Sequence, residues 1–190
     1  MDRMLDNQSF IEQVILKSHQ PLNLCYQCQK CASGCTMLKY ADFTPNQILR
    51  LVQMDQKSKV LNSSMIWLCT GCEICGARCP NGIKMAEVMD TLKEIAIEEN
   101  VVKEKNIKLF NEEFLSSVKS GGRVNELMLI GFYKLKTKDL FSDVDLGLKL
   151  FLKGKLPLLA KGVKAKKQVK QIFEKSRDKR RRESFDKCSI

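Results

Sequence analysis

Cys25-Tyr26-Gln27-Cys28-Gln29-Lys30-Cys31-Ala32-Ser33-Gly34-Cys35 and Cys69-Thr70-Gly71-Cys72-Glu73-Ile74-Cys75-Gly76-Ala77-Arg78-Cys79 are one pattern written twice, and together they use eight of the nine cysteines in the chain. Three thiols at three-residue intervals can wrap three iron corners of one 4Fe-4S cubane. The fourth cysteine of each run, set one residue further on and turned away, then completes the other cubane. The spacing therefore predicts crossed ligation. Cluster 1 is expected on Cys25, Cys28, Cys31 and Cys79, and cluster 2 on Cys69, Cys72, Cys75 and Cys35. Such an exchange staples the two runs together and brings two 4Fe-4S clusters close. Pro80 follows the second run in the usual way, whereas Thr36 stands at that place after the first. Its hydroxyl and N–H are expected to alter the potential of cluster 2 more than its ligation.

The other uses of cysteine fit less well. Tetrahedral zinc draws on two separated Cys-x2-4-Cys knuckles, which a triple at three-residue intervals does not resemble. Disulfides are opposed by the short spacings and by the reducing compartment expected for a chain whose first residues, Met1 to Phe10, lack the apolar segment of an export signal. No run reaches the ~20 apolar residues a membrane-spanning helix needs, so a cytoplasmic location is expected. Cys188, in the basic stretch close to the end, reads as a free thiol. His19, the one histidine, reads as a helix-end residue, and Trp67 and Tyr26 as packing beside the cysteines. Lys30 and Arg78 lie inside the runs, where positive charge favours a reduced cluster. With one histidine, scattered acids and no glycine-rich phosphate loop, the chain offers no catalytic residues of its own.

Around the cysteines the pattern is helical. Phe10, Ile11, Val14 and Ile15 make a short amphipathic stripe that must stop before Pro21. Thr44-Pro45-Asn46-Gln47 has the form of a capping box with proline at the first helical position, followed by the apolar face Ile48, Leu49, Leu51 and Val52. Met85, Val88, Met89, Leu92, Ile95 and Ala96 recur at helical spacing up to Asn100 and are expected to pack on the cysteine segments. Further helices are expected over Lys103 to Lys119, ending at Gly121-Gly122, over Val124 to Lys136, over Asp143 to Lys153, and over Val163 to Arg177. No segment alternates as a strand, and all four prolines fall at element boundaries, so the fold class is all-α.

The formal charge of +11 is not spread evenly. From Lys153 to Ile190 there are 14 basic and 4 acidic side chains, and the rest of the chain is nearly neutral. The expected organisation is a cluster-binding domain over 1–100, a helical docking region over 101–160 and a basic arm over 161–190. The arm alone would support a nucleic-acid-binding iron-sulfur protein, and no recognition module accompanies it, so nucleic acid is not the expected partner.

Three stretches carry a family resemblance: Leu24 through Cys35, Phe43-Thr44-Pro45-Asn46-Gln47-Ile48, and Trp67 through Pro80. Together they resemble the C-type subunit of heterodisulfide reductase over about residues 20–100. Gly122-Arg123-Val124 and Tyr133-Lys134-Leu135-Lys136-Thr137 resemble the bacterial and some archaeal forms more loosely. The resemblance implies an α-helical ferredoxin fold with two 4Fe-4S clusters. It also implies two partners, a flavin- and iron-sulfur-containing A-type subunit and a cysteine-rich, substrate-reducing B-type subunit, within a larger hydrogenase-, formate- or reductase-linked complex of anaerobic metabolism. The C-type subunit is then the conductor between them. The same fold resembles the iron-sulfur parts of glycolate oxidase, anaerobic glycerol-3-phosphate dehydrogenase and succinate dehydrogenase. The glycolate and glycerol-3-phosphate types are kept as the alternative. A succinate dehydrogenase subunit would carry a plant-type cysteine domain before Cys25, where this chain has no room for one.

Overall fold

The helices expected around Phe10 to Ile15, from Pro45 and from Met85 form where their caps and stripes place them. In the computed structural model, residues 9–137, 163 and 165–186 are described, and among them no strand occurs. Helix α1, Phe10–Ser18, starts at a capping box in which Ser9 accepts from the Glu12 N–H and Glu12 reaches back. It ends on His19, the left-handed cap (φ 54) whose N–H returns to the Ile15 carbonyl. A 3-10 turn, Leu22–Leu24, hands the chain to Cys25. Helix α2, Lys30–Ser33, lies inside the first run, and α3, Pro45–Gln53, begins beyond it at the predicted Thr44/Gln47 box. Of the apolar face expected on α3, Ile48, Leu49 and Val52 are buried, and Leu51 is only half-buried; Asn46 is buried instead.

Helices α4, Lys57–Leu61, and α5, Ser64–Leu68, have no counterpart in the sequence pattern. At five residues each they are too short for a stripe to register. Helix α6, Ile74–Arg78, lies inside the second run, and α7, Met85–Glu98, is the long central helix. It packs against α1, α4, α5 and α6. Val88, Met89, Leu92, Ile95 and Ala96 on α7 are fully withdrawn from water, as are Val14, Ile48, Val52 and Ile66 on other helices of the same unit. Each large aliphatic side chain so buried stabilises the unit by about 1.5–3 kcal/mol.

The chain divides into two compact units, one up to Lys105 and one from Asn106. In the second, α8, Lys105–Gly121, ends at Gly122 (φ 79), and α9, Glu126–Thr137, meets it with Phe110 and Tyr133 edge to face at 5.6 Å. Helix α10, Lys166–Asp186, starts later and runs further than the expected Val163 to Arg177. Val163 instead gives its N–H to the Gly121 carbonyl at 3.2 Å. Beyond Arg177 the lysine-, arginine- and glutamate-rich sequence meets no glycine or proline, so nothing stops the helix. The expected helix over Asp143 to Lys153, and Cys188, lie outside the described residues. Among the described residues no helix is long and apolar enough to cross a membrane.

Candidate iron-sulfur centre

Both cysteine runs adopt the same backbone course. The first cysteine of each, Cys25 or Cys69, caps a helical turn through its own N–H, to the Leu22 carbonyl at 3.2 Å and to the Met65 carbonyl at 3.1 Å. Two residues later comes a left-handed residue, Gln27 (φ 62) or Gly71 (φ 65). Two residues after that comes another, Gln29 (φ 64) or Glu73 (φ 58), which opens α2 or α6. Alternating hand in this way turns successive N–H groups toward one side and makes a concavity suited to an anionic group. The third cysteine, Cys31 or Cys75, sits in the short helix. The fourth follows it: Cys35 donates its N–H to the Ala32 carbonyl at 3.0 Å, and Cys79 to the Gly76 carbonyl at 3.1 Å.

Helices α2 and α6 pack on each other. The Arg78 guanidinium reaches Ser33 Oγ at 3.5 Å and lies over Gly34, where a Cβ would stand 2.8 Å from its Nη1. Arg78 therefore acts as a clamp between the runs, in addition to whatever charge it contributes. The result is two recesses. One is lined by Cys25, Cys28, Cys31, Cys75 and Cys79, the other by Cys35, Cys69, Cys72 and Cys75. Each draws cysteines from both runs: Cys79 joins the three of the first run, and Cys35 joins the three of the second. Cys75 and the buried Met85 line both, so the two recesses are neighbours. Thr36 lines the second recess and Lys30 the first.

Thiol acidities follow the same geometry. Burial pushes the Cys31 thiol up to about 11, opposed by the Ala32 N–H, with Cys25 and Cys75 adding in the upward direction. Cys69 is raised by burial, eased by the Gly71 N–H and Lys93, and raised again by Asp90 and by Cys35, 34 residues earlier in the chain. Cys75 is raised by burial, eased by the Gly76 N–H, with Cys69 and Cys72 contributing upward. Tyr26, largely exposed, is raised by desolvation and by Cys28, Cys79 and Cys25, so thiols from both runs act on it. To hold a metal group these thiols must give up their protons, which the positive charge of the group favours.

Two contributors were invisible in the sequence. Asp42 binds the start of α5, accepting from Ser63 Oγ at 2.7 Å, the Ser64 N–H at 2.9 Å and the Met65 N–H at 3.2 Å, with Lys103 Nζ at 3.0 Å. Desolvation works against its charge, but these donors outweigh it and hold the carboxyl well below the usual range. Because α5 ends on Cys69, Asp42 ties the segment after the first run to the entry of the second. Lys93 on α7 gives its ammonium to the Cys69 carbonyl at 3.2 Å and to Asp90 at 3.0 Å. Neither residue lies in a motif; only the fold brings them to the cysteines. Trp67, expected as packing, is buried.

Residues 24–84 match the family model described as a 4Fe-4S dicluster domain. The match spans both cysteine runs, from Cys25 to Cys79. The donor type fits that group: eight thiols from the two runs line two adjoining recesses. Among curated relatives, the chain is 36% identical over 84 residues to the C subunit of the ferredoxin:CoB-CoM heterodisulfide reductase of Methanosarcina acetivorans, which is 44% of this chain and 34% of the relative. It is 32% identical over 98 residues to the C 2 iron-sulfur subunit of the CoB–CoM heterodisulfide reductase of Methanocaldococcus jannaschii, 47% of this chain and 52% of that one. Against the C subunit of the H(2):CoB-CoM heterodisulfide,ferredoxin reductase of Methanothermobacter marburgensis it is 26% identical over 83 residues, 44% and 45% of the two chains. The chain thus spans a third to a half of the length of these relatives, and its dicluster domain is related to the C subunits of heterodisulfide reductases.

Proposed function

We propose that this chain is the electron-transferring subunit of a heterodisulfide-reductase-type complex, relaying electrons between a flavin-containing A-type subunit and a substrate-reducing B-type subunit in the cytoplasm. The observation that carries this reading is the pair of adjoining recesses, each lined by cysteines from both runs. We assign Cys25, Cys28, Cys31 and Cys79 to one 4Fe-4S cluster and Cys69, Cys72, Cys75 and Cys35 to the other. Such a cluster, when bound, accepts and donates single electrons without making a bond to substrate.

The chain's own residues supply the rest. Met85, Met89 and Met65 are buried against the second recess and Leu49 and Ile83 against the first, so water is kept from their inner walls. Cys28 and Cys72 are exposed, so each recess has one edge a partner can approach. Exposed apolar side chains on α8 and α9, including Phe114, Leu115, Met128, Ile130 and Phe132, support docking in a complex. The test is anaerobic isolation with measurement of iron and sulfide, followed by co-purification. About eight of each per chain, and reduction by a co-purifying flavoprotein, are expected. Zinc without sulfide, or clusters that no flavoprotein or cysteine-rich partner reduces, would refute it.

A further inference from the structure

The two cysteine runs share a backbone course but no residue other than the cysteines, and one of the differing positions lies beside a ligand candidate in a left-handed turn. Two residues after the first cysteine, the first run carries Gln27 and the second Gly71, both left-handed. An L side chain costs about 1–2 kcal/mol in that conformation, so a glutamine there calls for a reason. The Gln27 side chain gives its amide Nε2–H to Cys25 Sγ at 3.5 Å. Its Oε1 accepts from Asn46 Nδ2 at 3.3 Å, and Asn46 Oδ1 accepts from the Thr44 hydroxyl at 2.6 Å.

The direction of this chain of bonds is set at its far end. Thr44 Oγ1 already accepts from the Gln47 N–H at 3.4 Å in the capping box of α3, so its proton is directed to Asn46. Asn46, only 9% exposed, must then present its NH2 to Gln27, and Gln27 must present its own NH2 to sulfur. A helix cap thus fixes which end of a glutamine faces a cysteine. At Gly71 no side chain can do the same.

We propose that Gln27, oriented by Asn46 and Thr44, holds the midpoint potential of the cluster on Cys25 above that of its neighbour. The proposal rests on the assignment of two clusters made above. Reduction adds negative charge, part of which falls on the ligand sulfurs, and an N–H aimed at a sulfur stabilises the reduced form more than the oxidised one. Lys30 lines the first recess and Glu73 the second, and the cation bonded to the Cys69 carbonyl is Lys93. Its ammonium is paired with Asp90, and the two act on Cys69 in opposite directions. Gln27 is a positioning residue, acting through Cys25, and the pair becomes unequal: the cluster on Cys25 is the one reduced first.

The experiment is a potentiometric titration of the anaerobically loaded full chain followed by electron paramagnetic resonance, with the signal of the Cys25 cluster identified by its change in Cys25→Ser. Gln27→Gly removes the donor and suits the positive φ. At a fixed potential it should raise the oxidised-to-reduced ratio of that cluster about tenfold, or about 59 mV for one electron, and leave the other cluster nearly unchanged. Asn46→Leu, which fills the same buried space but frees Gln27, should move the same cluster in the same direction by less, and it decides the matter if Gln27→Gly fails to hold iron. An unchanged midpoint, or equal movement of both clusters, overturns the proposal. Wild-type protein lacking two clusters by iron and sulfide content overturns the functional assignment itself, whereas two clusters with an unmoved midpoint overturn only the role of Gln27.

Discussion

Cys35 acts electrostatically on Cys69, across 34 residues of sequence, and lines the same recess. The last cysteine of the first run is therefore grouped with the second run, and Cys79 is grouped with the first. Replacing Cys35 should damage the cluster served by Cys69, Cys72 and Cys75. Cys35→Ser is expected to retain about four of about eight irons, or all of them with one altered spectrum, and the altered signal should be the one that Cys69→Ser also changes. Iron analysis with electron paramagnetic resonance checks this. A change confined to the cluster on Cys25 would contradict crossed ligation.

Asp42 predicts an acid-sensitive link between the runs. Against the cost of desolvation, its carboxyl is held below the ordinary value by the Ser64 and Met65 N–H groups, Ser63 and Lys103. A depressed folded-state value means that its stabilisation is fully present above the unfolded value of about 3.9 and is lost as pH falls below it. Because solvent screens this exposed carboxylate, Asp42→Asn should cost only about 1 kcal/mol at neutral pH and flatten the loss of stability between about pH 4 and pH 2. Denaturant titrations of both proteins over that range would show it.

The left-handed residues predict opposite effects for two glycine exchanges. At Gly71 a Cβ would have no heavy atom within 4 Å, so Gly71→Ala meets no clash and should cost only the conformational term, about 1 kcal/mol. Glu73, at φ 58, already bears that term, and Glu73→Gly should stabilise by up to a similar amount. Thermal melts of the loaded proteins measure both; a fall in melting temperature for Glu73→Gly would mean that its side chain holds the turn.

Two neighbours on α7 separate packing from protection of the cluster. Met89 and Leu92 are both fully buried, but only Met89 lines a cysteine recess. Met89→Ala and Leu92→Ala should each destabilise by about 2–5 kcal/mol. Met89→Ala should in addition speed oxidative bleaching of the cluster served by Cys69, because water and oxygen gain a path to it. Equal bleaching rates in the two variants would assign Met89 to packing alone.

Repeated cysteine spacing is a local record of which thiols can face one small object, and the capping box at Thr44 and the stripe along α7 are equally local, since caps and helical faces are set within four residues. The all-α class and the repeated cysteine runs could therefore be read in one dimension. Helices α4 and α5 escaped because five residues hold no full stripe, and α10 escaped at its ends because uniform polarity marks no boundary. Packing in three dimensions was needed to bring Asp42 to the start of the helix leading to Cys69, to lay Arg78 over Gly34, and to let Asn46 turn Gln27 toward Cys25. These contacts join residues 19 to 44 positions apart, and no spacing rule encodes which side chains meet once α7 draws the two runs onto one core.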